Sequence, residues 1–219
     1  MIIIGAKGHA KEILDVYDQL NQIENLIFFD NISHDLPDQL YGKFKIIRSF
    51  NEAAYELKKD SRFVLGIGNP AERYVLARKF INLGGHLESV ISPTASIGRH
   101  NVILEGGLNL MKGVMISSDV TIGEGTLINA HSSIHHDSRV GRYCEVGPGV
   151  RIAGRCTVGD FCSVGIGAIL LPDIIIGSNV IVGAGAVVTE NIGSNVVIAG
   201  VPAKKIRALN PLQFNTIDS

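Results

Sequence analysis

A small parallel α/β domain followed by a parallel β-helix of hexapeptide repeats is the fold this sequence predicts, and three observations predict it. Short apolar strands alternate with helix-like segments over residues 1–88, aliphatic side chains then recur at every sixth position, and glycines punctuate the same period. Alternating strands and helices imply a parallel sheet of Rossmann-like type. A fixed short period implies stacked structural repeats.

The N-terminal elements follow in order. "MIIIG", "NLIFFD" (25–30), "GKFKII" and "RFVLGIG" (62–68) are short apolar runs bounded by turn residues, the signature of buried strands. Between them "HAKEILDVYDQLN", "NEAAYELKKD" and "PAERYVLARKFINLG" carry helical spacing. The first strand ends in "GAKGHAKE". A dinucleotide fingerprint needs glycine at 5, 7 and 10, whereas Lys7 and Ala10 stand here, so NAD is disfavoured. Gly5 and Gly8 still allow a tight turn into a helix N-terminus, an element that recognises phosphate. "GIGN" (66–69) ends a later strand beside it, where α/β ligands sit. Plain turn glycines are the competing reading.

The period of six starts at Leu104 and runs without a break to Val188, every position Ile, Leu or Val. Two residues before each aliphatic the side chain is small or aliphatic, as at Val120, Thr126, Ser132, Ser138 and Ala168. Within a strand both positions share a face. Each unit gives a short strand and a corner, three units make a coil of eighteen residues, and coils stack at about 4.8 Å. Ile91 and Ile97 prefix the series one residue out of step, which adds a sixth, partial coil. The division is 1–88, a small α/β domain expected to bind a nucleotide or nucleotide sugar; 89–209, the β-helix; and a tail, 210–219.

Cys144, Cys156 and Cys162 fall in the small-residue register and are expected as buried core residues. An odd number of cysteines without CxxC spacing excludes a disulfide framework or a zinc knuckle. The segment "NAHSSIHHDSRVGRY" concentrates three histidines, yet the period separates them. His131 sits on one corner, His135 ends a strand, and His136 with Asp137 occupies the next corner. Corners six residues apart lie on different edges, so no metal site is expected. Residues eighteen apart stack, and above His136 come Gly154, Pro172 and Glu190. A histidine suits general-base work near neutral pH, and a glycine amide can approach a developing oxyanion closely. Asp137 would hold the imidazole in the useful tautomer. A solvated polar corner is the bland alternative.

The order "IIIGAKGHAKEI", hexads, "INAHSSIHHDSRVG" and "VGAGAVVTENI…VVIAGVPAKKI" resembles bacterial sugar acetyltransferases of the left-handed β-helix superfamily. The nearest group is the two-domain nucleotide-aminosugar N-acetyltransferases and sialic-acid O-acetyltransferases. The resemblance implies a left-handed helix, a homotrimer, and acetyl-CoA bound between neighbouring β-helices. It implies His136 as catalytic base with Asp137 beside it, Gly154 as donor to the thioester oxygen, and Asn129 lining the site. The CoA chain would pass Pro172 toward Gly200 and Val201, with Lys204 or Lys205 at its phosphates. The acceptor's nucleotide would lie on Gly5, Lys7, Gly8, His9, Asp30, Gly68 and Asn69. Many members carry a second histidine nine residues after the base, where this chain has Glu145. The main expectation is N-acetylation of a nucleotide-linked aminosugar. O-acetylation of sialic acid or another sugar hydroxyl, and a catalytically inactive sugar-nucleotide-binding trimer, are the alternatives.

Composition bounds the rest. With 46% hydrophobic and 19% charged residues the chain can build a core, which excludes a disordered chain. A net charge of −1 argues against a nucleic-acid partner. No apolar run is long enough to span a membrane and no secretory signal pattern opens the chain, so the cytoplasm is the expected location.

Overall fold

A computed structural model describes residues 1–214. Residues 215–219, the end of the expected tail, lie outside the described residues. The chain opens with β1 (Ile2–Ile4), α1 (Gly8–Gln19), β2 (Ile27–Phe29), β3 (Gln39–Leu40), β4 (Phe44–Ile47), α2 (Phe50–Leu57), β5 (Arg62–Leu65), α3 (Pro70–Asn82) and β6 (His86–Leu87). The expected strands and helices are all present. β3 and β6 are additions, each two residues long and too short to leave a periodic signal.

The sheet runs β3-β4-β2-β1-β5-β6, and only the β3–β4 pair is antiparallel. β1 lies at its centre, paired in parallel with β2 and β5. Its side chains alternate between two layers: Ile3 packs with Ala10, Ile13 and Leu14 of α1, while Ile2 and Ile4 pack with Phe29, Phe63 and Phe80. Burial on both faces explains why this strand reads as an unbroken aliphatic run. α2 starts on a capping box in which the Glu52 N–H donates to Ser49 Oγ and the Ser49 N–H donates back to the Glu52 carboxylate. α3 starts on Pro70, with Asn69 Oδ1 accepting from the Glu72 N–H at 3.1 Å.

Beyond residue 89 the chain winds as a left-handed β-helix with three faces of parallel two-residue strands. The first face stacks Val90–Ile91, Asn109–Leu110, Leu127–Ile128, Glu145–Val146, Ser163–Val164 and Val180–Val182. The second stacks Ser96–Ile97 through Val187–Val188, and the third Ile103–Leu104 through Ile175–Ile176. From Leu110 to Val188 every sixth-position aliphatic is at most 2% exposed, so the period marks the inside of the prism. Ile91 pairs with Leu110 and Ile97 with Ile116, nineteen residues apart, whereas Leu104 and Ile122 are eighteen apart. The extra residue sits in the corner between Ile97 and Leu104 and accounts for the offset prefix.

Two rules hold the coils. From Leu104 to Val182 the third residue after each aliphatic turns the corner with positive φ, as at His131, Asp137, Tyr143 and Arg155, with glycine at Gly125 and Gly149. The residue two before each aliphatic, when polar, reaches a carbonyl one coil on. Ser132 Oγ donates to Gly147 O and Ser138 Oγ to Ala153 O, and the three thiols donate to Gly159, Leu171 and Gly177 carbonyls at 3.1 Å each. Burial pushes the Cys144 and Cys156 thiols up, so they stay protonated donors.

The α/β layers sit directly on the first face. Val90, Met111 and Leu127 join the core beneath α1, and Tyr143 joins the core beneath α2 and α3. At the far end Val196–Ala199 extends the first face and Lys204–Ala208 folds back antiparallel against it, a hairpin the hexad pattern did not anticipate. The tail then descends so that Phe214 packs against Tyr74 of α3 at 4.5 Å and Phe161 at 5.0 Å between ring centroids.

Candidate functional site

The carboxyl ends of β1, β2 and β5 open into a cleft of about 320 Å³. Gly5, Lys7, Gly8, His9, Asp30 and Gly68 line it together with Ile32, Gly66 and Glu72. The switch from β2 to β5 on either side of β1 produces this crevice, the usual ligand position of an open α/β sheet. Gly5 has φ +98°, and a Cβ there would stand 2.8 Å from Gly66 O, so only glycine lets the two strand ends close on each other. α1 has no side-chain cap, so its first-turn N–H groups face the cleft without one. Asp30 Oδ1 accepts from the Ile32 and Ser33 N–H groups and shapes the rim, which Lys7 and Asp35 close with an ion pair at 2.9 Å. Asn69 stands just past the cleft, its side chain committed to the α3 cap.

Under the cleft lies a polar floor that joins it to the β-helix. Arg73 is fully buried and donates to the carbonyls of Gly125 (2.9 Å), Leu65 (3.1 Å) and Ile67 (2.7 Å) and to Asn109 Oδ1. Burial pulls its pKa down to about 10, so it is still charged at neutral pH. The Asn109 amide donates to Leu65 O at 2.7 Å and to His9 Nε2 at 2.9 Å. His9 Nδ1–H then donates to Glu12 at 3.2 Å, and burial lowers the His9 pKa, which keeps the ring neutral. Neither Arg73 nor Asn109 was singled out from the sequence. An arginine at helical spacing resembles any solvated helix residue, and Asn109 occupies an ordinary outward hexad position.

The edge between the second and third faces carries His136, Asp137, Gly154, Pro172 and Glu190 in a column, as eighteen-residue stacking requires. Asp137 Oδ2 lies 2.7 Å from His136 Nδ1, with both side chains about half exposed. With the carboxylate accepting, Nδ1 holds the proton and Nε2 presents a free lone pair outward. The ring lies across Gly154: a Cβ there would meet Nε2 at 2.7 Å. Among the described residues no acceptor pairs with the Gly154 N–H. Lys204 reaches the same column by its ion pair with Glu190 at 2.7 Å; it opens the strand that also holds Lys205, just after the turn that holds Gly200 and Val201.

Asn129 is buried on a different edge, between the first and second faces. His131 and His135 line a shallow groove on the second face with Met115, Ser133 and Arg151, and among the described residues no metal-binding cluster forms. Nor, among those residues, is any helix long and apolar enough to cross a membrane.

One geometric fact dominates. In a three-sided prism the edge between the second and third faces is opposite the first face. The cleft sits over the first face, so within one chain it and His136 point away from each other.

The family model described as the PglD N-terminal domain matches residues 1–80, and the bacterial transferase hexapeptide model matches residues 119–154 and 155–190. Among solved structures, a mutant of perosamine N-acetyltransferase from Caulobacter crescentus, in complex with CoA and GDP-perosamine, is 32% identical with a TM-score of 0.86. That match covers 93% of this chain and 95% of the other. WeeI from Acinetobacter baumannii is 25% identical over 94% of this chain and 98% of its own, with a TM-score of 0.84. The acetyltransferase domain of PglB from Neisseria gonorrhoeae, in complex with acetyl coenzyme A, is similar in fold at 24% identity, with a TM-score of 0.83 and coverage of 94% and 98%.

Proposed function

Because the chain belongs to the two-domain sugar acetyltransferases that join a PglD-type domain to hexapeptide repeats, we propose that it moves the acetyl group of acetyl-CoA onto the amine of a nucleotide-linked aminosugar. The observation that carries this reading is the pairing of a phosphate-ready cleft with a histidine–carboxylate corner on a bare glycine. The nucleotide sugar would lie on Gly5, Lys7, Gly8, His9, Asp30 and Gly68 of the 1–88 domain, with Asn69 supporting the strand end. The 89–209 domain would hold acetyl-CoA and supply the chemistry.

His136 Nε2 takes the proton from the attacking nitrogen while Asp137 fixes the ring through Nδ1. The Gly154 N–H donates to the thioester oxygen as negative charge grows there; the carbonyl then re-forms, the C–S bond breaks, and His136 returns its proton to the departing CoA sulfur. Pro172, Gly200, Val201, Lys204 and Lys205 would flank the CoA chain and its phosphates. The buried cysteines take no part, so transfer is direct. Because cleft and base face opposite ways in one chain, the working site is shared between copies, with the base of one chain meeting the cleft of the next. A closed cyclic homotrimer in the cytoplasm satisfies this, with Asn129 on another edge free to line the shared site.

The test is an assay with acetyl-CoA and a panel of nucleotide-linked aminosugars. His136→Ala should lower kcat about 10²- to 10⁴-fold with nucleotide-sugar affinity unchanged. Gly8→Phe should block the cleft, since a Cβ at Gly8 meets only open space. Neither variant works alone, but mixed oligomers of the two should regain activity. Wild-type kcat in His136→Ala, or no rescue on mixing, would sink the reading.

A further inference from the structure

We propose that Glu145 reads the amino group of the acceptor, an inference that rests on the acetyl-transfer reading above. Glu145 holds an outward position on the first face, paired with Leu127 on one side and Ser163 on the other. It therefore stands on the wall that the cleft leans against. Its carboxylate lies over Gly68 at the cleft lip: a Cβ on Gly68 would come within 2.6 Å of Oε1. The missing side chain is what brings the acid against the cleft backbone.

The two carboxylate oxygens differ. Oε2 accepts from the Ser163 hydroxyl at 3.0 Å, which fixes the group. Among the described residues no donor reaches Oε1. The nearest buried cation, Arg73, is already spent on three carbonyls and Asn109, and no direct ion pair joins it to Glu145. Two other acids line the cleft: Asp30 Oδ1 accepts from the Ile32 and Ser33 amides and Glu72 stands in the first turn of α3, and neither stands on the β-helix wall. Glu145 is thus a fixed, half-buried acceptor with one open oxygen, where the cleft meets the β-helix.

An ionised carboxylate only accepts, so its partner must be a donor. An alkyl ammonium supplies three donors and the opposite charge, and such charge-assisted bonds are about twice as strong as neutral ones. Glu145 therefore selects an aminosugar over its hydroxyl counterpart and aims the nitrogen out of the cleft toward an incoming base. It binds and orients and takes no proton itself; the nitrogen attacks only after one ammonium proton has left to solvent, and the base takes the second as the C–N bond forms.

Glu145→Gln keeps the shape and the Ser163 bond and removes the charge. Calorimetry on wild type and variant should use a nucleotide-linked aminosugar and the same nucleotide sugar with a hydroxyl in place of the amine. The expected result is a loss of affinity of about tenfold or more for the amine ligand, none for the hydroxyl ligand, and an unchanged KM for acetyl-CoA. Equal weakening of both ligands with a lowered Tm would make Glu145 a structural countercharge to Arg73 and overturn the proposal. Unchanged amine affinity would overturn it as well. If the wild type acetylates the aminosugar while Glu145→Gln binds it undiminished, acetyl transfer stands and only this inference falls.

Discussion

The cleft and the His136 edge are built by opposite strategies. The cleft rests on a floor of buried polar groups, Arg73, Asn109 and His9, each tied to several partners across two layers of the molecule. His136 and Asp137 on their edge share one 2.7 Å contact and are both about half exposed. The first is finished within a single chain, and the second is a set of groups waiting for a surface to face them. The difference teaches where stability and chemistry are stored: under the proposed function, a binding site that must be ready before the ligand arrives is anchored in the core, whereas a base that acts on a neighbour's cargo can ride on a corner.

The sharpest way to break this contrast is to remove the floor. Arg73→Ala leaves three carbonyls and Asn109 without their donor in a dry interior, and should destabilise the protein by about 3 kcal/mol or more, seen as a large fall in Tm. A medium effect is expected from acid. Burial lowers the His9 pKa below its ordinary value of 6.5, so its neutral form is favoured on folding. That contribution is complete above the unfolded pKa and is lost as the pH falls from there through the lower folded value. Tm should decline over that window, and the decline should shrink in His9→Gln. The smallest effect belongs to the edge: His136→Ala should shift stability by no more than about 0.5 kcal/mol, because an exposed corner side chain supports little. A large Tm loss there would erase the distinction between the two regions.

Much of this architecture was legible from the chain. A six-residue period survives in sequence because each aliphatic enters the same interior, and its one-residue offset before Leu104 corresponds to one extra corner residue. His136 over Gly154 followed from counting eighteen, since stacking is set by coil length alone. The floor was not legible. Arg73 and Asn109 are separated by thirty-six residues and meet only when the α/β layers land on the first face, a contact with no period. The docking of Phe214 on Tyr74 and Phe161 escaped for the same reason. Nor did spacing reveal that cleft and base point apart, because that depends on which face the first domain covers.

The thiol ladder inside the prism has a practical consequence. Cys144, Cys156 and Cys162 do the work of hydroxyls, each donating one hydrogen bond to a carbonyl on the next coil, as Ser132 and Ser138 do in the same register. Serine can therefore stand in for all three, giving a protein free of native thiols. A single cysteine then introduced on an exposed corner would be the sole attachment point for a fluorophore or spin label, and the assembly proposed above could be tested by measuring the spacing between labels with a ruler of known length.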